Sequence, residues 1–194
     1  IIGIGGAMQH MLKITDGALE TSGSMMLIIC FVLGSIVGEL LDIEGAFERF
    51  GAWLRKKTHN ESDTGFLSAF IHASLTVCIG AMAIVGSIQD GLLGDSSLLC
   101  AKAALDAVII LVMTASMGKG CIFSAIPVAL LQGGVTLLSR VLAPIFTEAA
   151  IANLSYTGSV MIFCVGLNLV WGKKIKVANL LPTLVFAVLY ALVF

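Results

Sequence analysis

Apolar positions along the chain fall into long runs separated by short polar interruptions, and each run has the length of a membrane-spanning helix. A span of a lipid core takes about 20 residues. On that measure the pattern predicts full spans over 22–42, 64–88, 97–117, 121–142, 156–172 and 177–194. The opening run, IIGIGGAMQHML (1–12), is too short to cross and has no basic leader or cleavage site, so it reads as the tail of a partial helix. Tyr156 and Trp171 bracket the fifth span as an interfacial aromatic belt would. Pro182 predicts a kink or a break in the last one.

The polar interruptions carry more than turns. The segment 44–63 places Phe47, Phe50, Trp53 and Leu54 at helical spacing among Glu48, Arg49 and the Arg55-Lys56-Lys57 cluster. That pattern predicts an amphipathic helix, lying on the membrane face or packed on the bundle. Basic residues are unevenly shared between the two sides of an alternating topology. Arg49, Arg55, Lys56, Lys57, Lys119, Lys173, Lys174 and Lys176 fall on one side, and only Lys13 and Arg140 on the other. The positive-inside bias puts the larger group, and with it the 44–63 segment, in the cytoplasm.

Composition agrees with a lipid solvent. The chain is 58% hydrophobic and only 12% charged, with a mean hydropathy of +1.04, against about 25% charged in a soluble domain. Disorder is excluded on the same ground. A net charge of -1 leaves no basic excess for nucleic acid. The expected fold is therefore an all-α polytopic bundle over 1–194, a single transmembrane domain. A cysteine followed eight residues later by a glycine recurs at 30–38, 78–86 and 164–172. Together with the order of longer and shorter connectors, it suggests a 3+3 inverted repeat of 22–117 and 121–194.

Charges at lipid depth are expensive and mark candidate sites. Lys102 and Asp106, four apart on the third span, share one helix face. They are either an internal ion pair or a pair that opens to a solute, expected to face inward near Gln132 of the next span. Glu39 and Asp42, with Glu44, form an acidic cluster at the end of the first span. It is a cap paired with the basic 49–57 helix, or a cation mouth. Asp90 and Asp95 flank the turn 89–95, Asp95 being placed to cap the third helix. Gln132, Asn168 and Asn179 are neutral polar groups within spans, glue between helices or the lining of a polar cavity.

The five cysteines have no metal spacing and read as packing residues. His10, His59 and His72 form no zinc motif, and His72 reads as a packing histidine. Asn60 and Asn153 match the glycosylation pattern without persuasive context. No cofactor, metal or nucleophile constellation is visible. The expected partners are the lipid bilayer and a small polar solute or ion, with a homo-oligomer left open by the small-residue face GSIVG (34–38).

The words GELLDIE (38–44), IGAMAIVGSIQDGLLGD (79–95), LLCAKAALDA (98–107), LLQGG (130–134) and KIKVANLLP (174–182) resemble the bacterial domain-of-unknown-function 554 family of YdfK-like multi-pass inner-membrane proteins. The resemblance covers essentially all of 22–194. It implies a plasma-membrane protein described only as a candidate transporter, with an additional N-terminal hairpin whose second helix this chain would begin inside. It supplies no catalytic residues. Within the matching words the residues to watch are Glu39, Asp42, Gln89, Asp90, Lys102, Asp106, Gln132 and Asn179. Two function classes follow: a permease for a small polar or ionic solute, or a non-transporting scaffold or sensor using the 44–63 helix. An intramembrane enzyme has no residues to support it.

Overall fold

A computed structural model describes residues 2–15, 18–58, 65–79, 81–172 and 174–193. His59, Asn60 and Lys173 lie outside the described residues, as does the end of the 44–63 segment. Among the described residues the elements are helical apart from one small antiparallel hairpin. Its elements are α1 (Ile2–Met11), β1 (Leu12–Thr15), β2 (Ala18–Thr21), α2 (Ser24–Leu41), α3 (Ile43–Lys57), α4 (Phe66–Cys78), α5 (Ala81–Leu93) and α6 (Ser97–Met117). A 3₁₀ segment (Lys119–Ser124), α7 (Ala125–Leu137), α8 (Ser139–Leu142), α9 (Glu148–Trp171), a second 3₁₀ segment (Val177–Leu180) and α10 (Pro182–Val193) complete it. In the hairpin Leu12 pairs with Thr21 and Thr15 with Ala18.

Among the described residues, α2, α6, the run Lys119–Leu137 and α9 are each long and apolar enough to cross a membrane. A fifth crossing results if α4 and α5, which meet at 60°, count as one broken span. Each of these has 13 residues, about 20 Å of helix. The sixth apolar segment, Val177–Val193, is shorter than a span. Pro182 stands where the second 3₁₀ segment gives way to α10, as its fixed φ and missing N–H favour at a helix start.

Several expected boundaries move. The fifth helix starts at Glu148, because Thr147 accepts a hydrogen bond from the Ala150 N–H at 3.2 Å and caps it. Tyr156 therefore lies inside the helix and is buried beside Met26, Cys30 and Ala187, not in a belt. Trp171 alone stays exposed. Gln89 and Asp90 belong to α5, and only residues 94–96 remain as a turn. The α6 helix stops at Gly118, whose φ of 98° suits glycine.

By contacts the chain forms two compact units, Ile1–Ile43 with Ala143–Phe194, and Glu44–Leu142. The boundary between the blocks 22–117 and 121–194 falls inside the second unit, where α6 and α7 both lie.

In the first unit α2 buries Met26, Cys30, Gly34 and Gly38, a ridge of every fourth residue. This ridge lies against α10 and the 3₁₀ segment before it. A Cβ on Gly34 would strike Thr183, and one on Gly38 would strike the Asn179 carbonyl. Glycine here permits backbone contact, which stands in for the missing hydrophobic drive between helices in lipid. Likewise α1 rests on α9 through Gly3 and Gly6, and His10 Nε2 meets Ser155 Oγ at 3.0 Å. Asn153 Nδ2 donates to the Ala187 carbonyl, a packing role and not a glycan acceptor's.

In the second unit α3 uses both of its predicted faces. Leu54 is buried and Gly51 lies against Leu67 and Phe70 of α4. The Phe50 ring bridges Phe70 of α4 and Trp53, with centroids 5.9 and 5.8 Å away, while Trp53 is exposed with the Lys57 ammonium 4.9 Å from its ring centre. On α4, His72 Nδ1 donates to the Ser68 carbonyl at 2.8 Å. The α6 helix is inside-out. Its one buried residue is Lys102, while Leu111 is 71% exposed and Leu105, Val108 and Val112 are exposed as well. Such an arrangement is stable only where the surroundings are apolar.

Gly38→Ala should therefore lower the melting temperature in detergent, at a cost of about 1–3 kcal/mol for overpacking. Gly166→Ala is the control. Its added Cβ meets nothing within 4 Å, so it should be neutral or stabilising by up to about 1 kcal/mol. Equal melting temperatures for the two variants would contradict the close packing of α2.

Candidate functional site

Lys102 and Asp106 are one helical turn apart on α6, and the Lys102 ammonium donates to Asp106 Oδ2. It also donates to the Val77 carbonyl at 2.9 Å. Val77 stands in the last turn of α4, where the final carbonyls have no intrahelical donor left. A cation there also opposes the negative end of the helix dipole. Lys102 is only 6% exposed, and these two acceptors meet its ammonium in place of water. The lysine thus ties α6 to the broken end of α4.

Asp106 faces a cavity of about 260 Å³ within the second unit. Ser124 and Gln132 supply its other polar groups, with Val77, Ile110 and Val128 among its apolar walls. The lining follows helical spacing: Ala103, Asp106, Ala107 and Ile110 on α6, and Ser124, Val128 and Gln132 along the 3₁₀ segment and α7. Asp106 and Gln132 both line this cavity, and Lys102 does not. Ser124 was not singled out from sequence. It is 3% exposed, and its only sequence signal is a polar residue three before Pro127.

Within the acidic cluster, Glu39 has its partners ahead of α10. Glu39 Oε1 takes the Lys176 ammonium at 2.5 Å, and Oε2 accepts from Asn179 Nδ2 at 2.7 Å. The expected partner for the cluster was the basic 49–57 helix. Glu39 is joined instead to the loop before α10, because Gly38 brings α2 against Asn179 there. Asn179 is buried, but both ends of the Lys176–Glu39 ion pair are exposed, so solvent screens the pair and it contributes little to stability. Asp42 ends α2 in the left-handed region, φ 47°, with its N–H directed at the Glu39 and Gly38 carbonyls. Glu44 is buried on α3.

Asn168 is a stitch. Its Oδ1 accepts from the Lys174 and Ile175 N–H groups, and its Nδ2 donates to the Ile175 carbonyl at 2.7 Å. It holds the loop between α9 and α10. Asp95 Oδ1 accepts from the Ser97 hydroxyl and backbone N–H, which hold its carboxyl below the usual range. Asp95 thus stands one residue ahead of the helix cap, which falls at Ser96, and holds the first N–H of α6. Asp90 sits part-exposed on α5, in the turn of helix before Gly94. Among the described residues no group of three His, Cys, Asp or Glu side chains is placed to hold a metal. The five cysteines are free thiols.

The sequence pattern of the family described as "Protein of unknown function (DUF554)" matches residues 1–192. The chain is 25% identical over 171 residues to the uncharacterized membrane protein YdfK of Bacillus subtilis (strain 168), covering 88% of this chain and 72% of that one. It is 26% identical over 168 residues to the uncharacterized protein YqgA of Escherichia coli (strain K12), covering 83% and 70%. No solved structure matches.

Removing one member of the Lys102–Asp106 pair strands the other in an apolar setting, at about 3–5 kcal/mol. Lys102→Met and Asp106→Leu should each lower thermal stability by that order in detergent. The double variant should recover most of it, leaving the Val77 carbonyl without its donor. Additive losses in the double variant would contradict the pairing.

Proposed function

The chain belongs to the DUF554 family, and we propose that it is a multi-pass plasma-membrane permease for a small polar or ionic solute. One observation carries the reading: the cavity that gathers Asp106, Ser124 and Gln132 beside the broken end of α4. Broken helices at membrane depth are tolerated where they are buried in protein or line a cavity, and transporters use them for binding. Asp106 offers the solute a carboxylate, Gln132 an amide and Ser124 a hydroxyl. Glu39, Asn179 and Asp42 form a secondary candidate set in the other unit. Asn168 and Asp90 play no direct part in this reading.

The reading takes six crossings, counting α4 with α5 as one and Val177–Val193 as another. The 3+3 inverted arrangement adds symmetry to it and rests on the cysteine–glycine spacing. Lysine and arginine bias supports a cytoplasmic α3. The alternative, a scaffold or sensor, draws on the exposed Trp53 of α3, and no catalytic step is part of either reading.

Thermal stability of the purified protein against a panel of ions, amino acids, organic acids and amines tests the proposal. A ligand at about 100 times its Kd stabilises by about 2.7 kcal/mol. Asp106→Asn and Gln132→Ala should weaken that response at least about ten-fold, whereas Glu39→Gln should leave it intact. A panel without any response, with the variants changing only the melting temperature, would sink the permease reading. Topology has its own check in a cysteine-free background. An impermeant thiol reagent applied outside intact cells should modify Ser96→Cys and spare Arg55→Cys. Labelling of both would remove the alternating crossings.

A further inference from the structure

The chemistry of the cavity narrows the solute. One carboxylate, one amide and one hydroxyl are too few oxygens for a hard divalent cation such as calcium, which takes about six to eight. They suit an ammonium head, with the carboxylate accepting and the amide and hydroxyl oxygens assisting. The apolar walls, Ile110 and Val128 among them, suit a short hydrocarbon body.

Asp106 already has a cation. Its Oδ2 holds the Lys102 ammonium, and a second cation at the same carboxylate would leave one surplus positive charge in an apolar site. Lysine relieves such a surplus by losing its proton, since burial without a counter-charge disfavours the ammonium. A neutral Lys102 amine would still donate to the Val77 carbonyl, which it already reaches at 2.9 Å. The tie between α6 and α4 would therefore survive the exchange.

We infer that a small organic ammonium ion binds this cavity by taking over Asp106 from Lys102, which releases one proton as it does so. The charges balance: the incoming ammonium replaces the lysine's as the partner of the carboxylate, and the proton passes to water. Two-way use of the same equilibrium couples amine movement to an opposing proton. The inference rests on the permease reading and assigns its substrate class.

Other titratable groups on the elements packed against α6 are few. On α4 they are His72, bonded to the Ser68 carbonyl, and the Cys78 thiol, which lies within electrostatic range of both Lys102 and Asp106. Asp90 is the one on α5, and Lys119 and Cys121 are those of the 3₁₀ segment; Cys121 Sγ is directed at the Ala69 carbonyl at 3.6 Å. No acid or base lies on α7.

Butylammonium is the probe, with butanol and butyrate as controls, titrated calorimetrically into the full chain in detergent. Paired buffers of different ionisation heat count the protons. One proton should be released for each butylammonium bound, and affinity should rise with pH, about ten-fold per unit wherever a full proton is released, while butylammonium itself stays charged. Neither control should bind. Lys102→Arg keeps the charge and cannot release a proton. It should fold, bind at least ten-fold more weakly and lose the pH dependence. Binding of butylammonium without proton release overturns the exchange, as does a Lys102→Arg protein that behaves like the original. If butylammonium fails while another solute of the panel binds through Asp106, the ammonium assignment falls and the permease reading stands. If nothing in the panel binds, both fall.

Discussion

Every interruption of a helix in an apolar solvent releases backbone groups that water cannot satisfy, and this structure is organised around the donors and acceptors that meet them. Three interruptions matter. At the end of α4 the Val77 carbonyl takes the Lys102 ammonium. After α9, Asn168 binds both N–H groups and a carbonyl of residues 174–175. Between α6 and α7 the 3₁₀ segment lies so close to α4 that a Cβ on Gly120 would strike the Phe66 carbonyl. Such groups cost several kcal/mol each when left bare in lipid, on the order of a whole domain's net stability when summed.

Close approach is the second requirement, and small residues meet it. Between lipid-embedded helices burial of apolar surface is no driving force, so contact itself must bind them. The α2 ridge of Cys30, Gly34 and Gly38 lets the backbone of α10 and its 3₁₀ segment come near enough for Glu39 to reach Asn179. The second unit does the same where Gly91 lies against Thr136 and Ser139, and Gly51 against Leu67 and Phe70. The contact between Glu39 and Asn179 is therefore a consequence of the neighbouring glycine, Gly38.

Much of this was legible in the sequence. Apolar runs located the helices, because lipid leaves no exposed polar face to confuse the periodicity. The spacing of Lys102 and Asp106 placed them on one face, and their cost in lipid turned that face inward. Pro182 marked its break. Partners were harder to read. Glu39 could not be assigned to Lys176 and Asn179, residues 137 and 140 positions away, since a carboxylate has no means of advertising its distant donor. Asn168 looked like a solute ligand or helix glue and turned out to hold its own loop. Tyr156 looked interfacial because an aromatic near a helix end usually is. The Thr147 cap then moved that end outward by two turns. A bend within the second run was invisible for a different reason: its flanks are uniformly apolar, and apolar composition does not encode direction.

The contrast between Asn168 and Lys102 bears most directly on function. Both side chains meet a backbone carbonyl at a helix end. Asn168 does so with a neutral amide, at little electrostatic cost. Lys102 does so with a full charge, which then requires Asp106 to balance it. Burying a pair of ions is commonly no more stabilising than a well-packed apolar pair, so the fold gains little from the charges that a neutral donor at position 102 would not give. What the neutral solution lacks is a carboxylate facing a cavity. The structural need at Val77 accounts for a hydrogen-bond donor. The ionic form of that donor, and the aspartate it brings, are what the proposed exchange at the cavity would account for.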